Sequence, residues 1–170
     1  MENFAYNYKI LSYEQAEKKA RELKFLGKSI VMVSGCYDLV HVAHVIYLKK
    51  CKNLGDVLFL SLGSDETIRK LKGPNRPIIK QEYRAGLLAA MECVDYVVIA
   101  EESLNELNKI DYEKLFKTIK PNILAVNNND SSLKEKQEFA ENNGAKLGVI
   151  DCTDHPKIST SEIEKGIKES

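Results

Sequence analysis

Five short apolar runs alternate with longer amphipathic stretches along this chain of 170 residues, and that alternation excludes most architectures. The runs are Ile30 to Val33, Val57 to Leu62, Tyr96 to Ile99, Ile123 to Val126 and Lys146 to Ile150. They are rich in β-branched residues, and near-continuous apolar character suits strands covered on both faces. Between them the periodicity is helical. Tyr13, Ala16, Ala20 and Leu23 recur at helical spacing and Gly27 is placed to end that helix; a second, from about Lys80 to Glu92, puts Tyr83, Leu87, Leu88 and Met91 on one face. A third runs from Tyr112 to Ile119 and stops before Pro121. Ser132 with Glu135, and Ser159 with Glu162, are capping-box patterns for two more, the first ending at Gly144. Strands alternating with helices imply right-handed crossovers, an α/β fold and a mostly parallel sheet of about five strands. One domain over 1–170 is expected, with 1–10 an N-terminal extension and 11–27 the leading helix.

In such a sheet ligands sit beyond the carboxyl ends of the strands, where strand order reverses. Three stretches should meet there: the turn carrying His41 and His44, the turn Asn127 to Asp130, and the loop from Asp151 to Ser159. The first is the most informative. Gly35 turns the strand into a helix whose start carries two of the chain's three histidines, where free N–H groups and the helix dipole favour an anion. As metal ligands the pair is weak, because H-x-x-H lacks a third ligand nearby. Lys72 and Arg76 lie in a proline-stiffened loop and would offset phosphate charge, or simply be solvated. Arg84, near the apolar face of the next helix, is equally a ligand contact or a buried ion pair. Ser159 to Glu162 serves as a helix cap and could also hold a phosphate.

Lysines and arginines balance aspartates and glutamates at 25 each, so no overall field attracts nucleic acid or an anionic membrane. Neither a signal segment nor a run of spanning length is present, and a cytoplasmic protein is expected. Cys36, Cys51, Cys93 and Cys152 form no C-x-x-C pair and should be reduced and mostly buried.

The segment Gly35-Cys36-Tyr37-Asp38-Leu39-Val40-His41-Val42-Ala43-His44 resembles the G-x-F-D-x-x-H-x-G-H motif of the cytidylyltransferase-like nucleotidyltransferases. Leu71 to Ile78, with Arg84 beyond, looks especially like the adenylyltransferase domain of ADP-heptose synthase. Ile158-Ser159-Thr160-Ser161 matches the family's terminal I-S-T-S/T element, and glycerol-3-phosphate cytidylyltransferase is also similar. The likeness covers roughly Leu11 to Ile167 and implies a Rossmann-like, three-layer α/β/α fold. It also implies transfer of AMP or CMP from ATP or CTP to a phosphorylated sugar or polyol, with release of pyrophosphate, for a surface glycoconjugate such as lipopolysaccharide.

The resemblance assigns His41, His44, Lys72 and Arg84 to catalysis, and Arg76 to phosphate binding. It assigns Gly35, Cys36, Tyr37, Asp38, Ala43, Asn127, Asp130, Ile158, Ser159, Thr160 and Ser161 to nucleotide binding. Mg²⁺ is expected through the phosphates, with in-line attack and no covalent enzyme intermediate. The family commonly dimerises. Three departures stand out. Ala43 replaces the glycine between the histidines, Asn127-Asn128-Asn129-Asp130 stands where heptose enzymes have a K-G-G-D-like segment, and the loop before Ile158 lacks the arginine of glycerol-3-phosphate cytidylyltransferases, with Lys157 and His155 as candidates to substitute. Two other readings differ in class: a catalytically impaired nucleotide-binding regulator of the same fold, and a His/Cys metalloprotein.

Overall fold

A computed structural model describes residues 6–100, 113–154, 156, 158 and 160–168. Five strands, β1 (Ile30–Gly35), β2 (Val57–Gly63), β3 (Tyr96–Ala100), β4 (Ile123–Asn127) and β5 (Lys146–Ile150), form one parallel sheet in the order β3-β2-β1-β4-β5. Around it lie α1 (Tyr13–Phe25), α2 (Val42–Lys52), α3 (Asp65–Lys72), α4 (Gln81–Ala89), α5 (Glu113–Ile119), α6 (Leu133–Asn142) and α7 (Thr160–Lys168). The chain starts at the centre, moves out through β2 to β3, and crosses back to place β4 beside β1. Strand order therefore reverses between β1 and β4, and a crevice opens beyond their carboxyl ends.

Side chains of successive strand residues point to opposite faces, so one strand feeds two cores. Val31 and Val33 of β1 join Leu48 of α2 and Ala85 and Leu88 of α4 on one side. Ile30 and Met32 join Ala16 and Ala20 of α1, Phe116 of α5 and Ala140 of α6 on the other. The three layers expected of an α/β/α fold are present.

Three local expectations are corrected. Helix α4 ends at Ala89, not Glu92, because buried Val94 and the Asp95 carboxylate, which accepts the Leu58 N–H, draw the chain into β3. Its buried face is Arg84, Ala85, Leu88 and Ala89, whereas Tyr83 and Leu87 are about half exposed; small residues let the helix lie close to the sheet. At α6 Ser132 makes no capping hydrogen bond, since its backbone is not extended and its N–H donates to the Asp130 carboxylate instead. The predicted helix start at Tyr112 falls outside the described residues. The four cysteines are unpaired, with Cys51 and Cys93 buried and Cys36 and Cys152 partly exposed.

Candidate active site

Beyond the ends of β1 and β4 lies a cavity of about 680 Å³. The turn Gly35 to Tyr37 and α2 residues His44 and Tyr47 form one side, the end of β4 with Asn129, Asp130 and Lys136 another, and Cys152, Thr153, Ile158 and Glu162 close the rim. Helices α2 and α6 lie on opposite faces of the sheet. The cavity is therefore gripped from both layers.

The turn is shaped by sterics. Tyr37 adopts a left-handed φ of 47° and folds its ring back over Gly35, where an added Cβ would stand 2.6 Å from that ring. Gly35→Ala is expected to displace the buried Tyr37 and to lower stability by about 1–3 kcal/mol, the usual range for overpacking, measured by denaturant unfolding.

His41 caps α2 and stacks on His44 with ring centroids 3.9 Å apart. The His41 N–H donates to His44 Nδ1 at 3.3 Å. That acceptance places the neutral ring's proton on Nε2, leaving Nε2 a donor. His41 Nδ1 is shut off from solvent and has no hydrogen-bond partner among the described residues. Burial, with lesser contributions from His41 and Lys72, pushes His44 down to about 4. Burial also lowers His41, against the pull of Glu162. Both imidazoles are thus neutral at neutral pH.

A depressed imidazole has a stability signature. Between about 4 and the ordinary 6.5 the unfolded chain binds a proton that folded His44 does not, so stability rises with pH across that window. Denaturant midpoints measured across it should climb, and His44→Gln should flatten the climb.

Of the residues assigned from sequence, Gly35, Cys36, Tyr37, His41, Ala43, His44, Asn127, Asp130 and Ile158 line the cavity. Asp38 does not. It is 2% exposed, one carboxylate oxygen accepting Arg76 Nη1 at 2.6 Å and the other accepting the Ile78 and Ile79 N–H groups. Arg84 is buried and tied to the Cys36, Gly63 and Ile79 carbonyls and to the Asp65 carboxylate. Both arginines brace the site from behind, because buried guanidinium groups must satisfy their donors inside the protein. Lys72 is off the wall, yet its charge reaches Cys36 and His44. Thr160 also lies behind the wall, donating from Oγ1 to the Leu39 carbonyl at 3.5 Å. Ser159, His155 and Lys157, and the side chain of Ser161, lie outside the described residues.

Several wall residues carry no motif. Tyr47 donates to the Ala125 carbonyl, and Lys136 pairs with Asp130 at 2.5 Å. Only the three-residue spacing from His44 to Tyr47, which puts both on one helix face, could have pointed to the first. Among the described residues no group of three His, Cys, Asp or Glu could hold a metal ion. None of their helices is long and apolar enough to cross a membrane.

The family model described as cytidylyltransferase-like matches residues 32–166. The chain is 48% identical over 118 residues to the bifunctional protein HldE of Aliarcobacter butzleri, covering 69% of this chain and 23% of that protein. It is 46% identical over 156 residues to the protein of the same name from a Nitratiruptor species, covering 92% of this chain and 31% of that one. The matched stretch thus spans between about a fifth and a third of the length of such relatives. Among solved structures it is similar to the lipopolysaccharide core biosynthesis protein from Thermoplasma volcanium, with a TM-score of 0.61 and 26% identity, covering 74% of this chain and 96% of that one. It shares its fold with pantoate-beta-alanine ligase from Francisella tularensis, with a TM-score of 0.58 and 17% identity over 94% of this chain and 76% of the other.

Proposed function

Because the chain belongs to the cytidylyltransferase-like family of nucleotidyltransferases, we propose that its cavity binds ATP or CTP. The nucleotidyl group passes to the phosphate of a sugar or polyol destined for a surface glycoconjugate. The observation that carries this reading is the stacked imidazole pair at the α2 N-terminus, facing the cavity at the point where strand order reverses. Neutral donors, free N–H groups and a helix dipole converge there on one anion site. The similar lipopolysaccharide core biosynthesis protein from Thermoplasma volcanium supports a sugar phosphate as acceptor.

An acceptor phosphate oxygen attacks the α-phosphorus in line, forming the new P–O bond as the bond from the α-phosphorus to the bridging oxygen breaks and pyrophosphate leaves with the electron pair. His44 Nε2–H and the His41 ring hydrogen-bond the phosphate oxygens on which charge builds, and protonation of either ring strengthens that contact as the anion raises its pKa. Lys72 adds positive charge beside His44. Asp38, Arg76 and Arg84 act as positioning residues that hold the turn and the 76–79 segment in place.

Of the two carboxylates on the wall, Asp130 is already bound by the Ser132 N–H and by Lys136, which leaves Glu162, so Mg²⁺ would be held chiefly through the substrate phosphates. When bound, the ion neutralises triphosphate charge.

Pyrophosphate release with ATP or CTP over a panel of sugar and polyol phosphates tests the proposal. Turnover with at least one pair is expected, and none would overturn it. The Ala43 methyl on the cavity wall favours a second reading, nucleotide binding without turnover. Calorimetry showing tight NTP binding with no product for any acceptor would establish that instead.

A further inference from the structure

The asparagine-rich turn after β4, which departs from the glycine pattern of the family, supplies a clasp. The Asn128 N–H donates to the Ile150 carbonyl at 2.9 Å, extending the ladder between β4 and β5 by one bond. Its side chain then reaches across twice. Oδ1 accepts the Cys152 N–H at 3.2 Å, and Nδ2 donates to Asp151 Oδ1 at 3.0 Å. The same Asp151 oxygen accepts the Thr153 N–H at 2.9 Å. From α2, Lys50 Nζ donates to the Asp151 carbonyl at 2.9 Å and pairs with Asp154 at 2.8 Å. Asn128 itself does not line the cavity, but Asn127 and Asn129 on one side of it and Cys152 and Thr153 across from it do.

We infer that Asn128 is a positioning residue of the nucleotide site, its amide fastening the segment after β5 to the end of β4 so that the two walls keep their spacing. A primary amide fits this place. It must accept from a backbone N–H and donate to a carboxylate at once, and neither aspartate nor alanine does both. The inference rests on the nucleotide reading of the cavity, because the clasp orders walls on the side away from the histidines. It should therefore govern how tightly the nucleotide is held and leave the transfer step alone.

The test exchanges donor and acceptor. Asn128→Asp leaves two carboxylates facing each other and removes the donated hydrogen bond. The double variant Asn128→Asp with Asp151→Asn removes the repulsion and restores the bond between the two segments with its roles reversed, the amide at position 151 donating to the carboxylate at position 128; because a single Asp151 oxygen takes both bonds in the parent, the Thr153 N–H then gives up its acceptor. The single variant should raise the KM for the NTP about tenfold or more with kcat within about threefold of the parent, and the double variant should return KM to within about threefold. Hydrogen exchange at the Cys152 amide gives a readout independent of nucleotide: about tenfold faster in the single variant and restored in the double, with β1 and β2 amides unchanged. Unaltered KM and exchange in Asn128→Asp, or failure of the double variant to recover, would overturn the clasp. If the parent protein binds no nucleotide the proposed function falls, and amide exchange alone decides whether the clasp stands.

Discussion

His44→Ala is expected to reduce kcat/KM for pyrophosphate release by about 10²- to 10³-fold, the range seen when a donor aimed at developing charge is removed. His41→Ala should lose a similar factor. The two deletions together should lose less than the product of the singles, because the rings stack at 3.9 Å and His41 donates its N–H to the His44 ring. Neither change should unfold the chain, since both side chains line the cavity and are only partly buried. Most of the loss should fall in kcat, as contacts that strengthen in the transition state act there. Pyrophosphate release by each variant, with thermal unfolding alongside, checks this. Parent-like turnover in the double variant would remove the imidazoles from the mechanism.

Arg84→Met should instead destabilise the fold, by about 3–5 kcal/mol, the cost of breaking a buried ion pair by removing one partner. For a chain of this size that lowers the melting temperature by about 10 °C or more. The guanidinium joins carbonyls of three separate segments, at Cys36, Gly63 and Ile79, and also meets Asp65 at 2.6 Å. Methionine of similar length fills the space and leaves all four acceptors unmet. Arg84→Lys should recover little, since a single ammonium cannot reproduce the planar fork. A residue that touched the nucleotide phosphates would behave differently, raising KM with an unchanged melting temperature. Thermal unfolding read beside NTP affinity separates the two roles.

The sheet was legible because its strands are covered on both faces, so Val31, Met32 and Leu58 to Leu60 read as apolar runs whatever their neighbours. The motif turn was legible for a related reason: the backbone at Gly35 and the histidine pair at a helix start are local. Helix α4 misled because periodicity weighs Tyr83 and Leu87 above Ala85 and Ala89, while close packing prefers the small side chains. The basic residues were legible as cations and not as to their partners. Nothing local distinguishes Lys72, near His44, from Arg76, folded inward onto Asp38. Lys136, Thr153 and Glu162 reach the cavity from α6, the segment after β5 and α7, and no pattern in one dimension links them.

Asp38 answers to both halves of its neighbourhood at once, its carboxylate occupied by Arg76 and by the backbone of Ile78 and Ile79. Anyone grafting a foreign loop over 73–80 would therefore need an arginine at the place of Arg76 in the incoming segment. A chimera whose loop lacked that arginine would strand a buried negative charge beneath the 76–79 segment, so exchanging the loop is a two-site redesign in which position 38 changes with it.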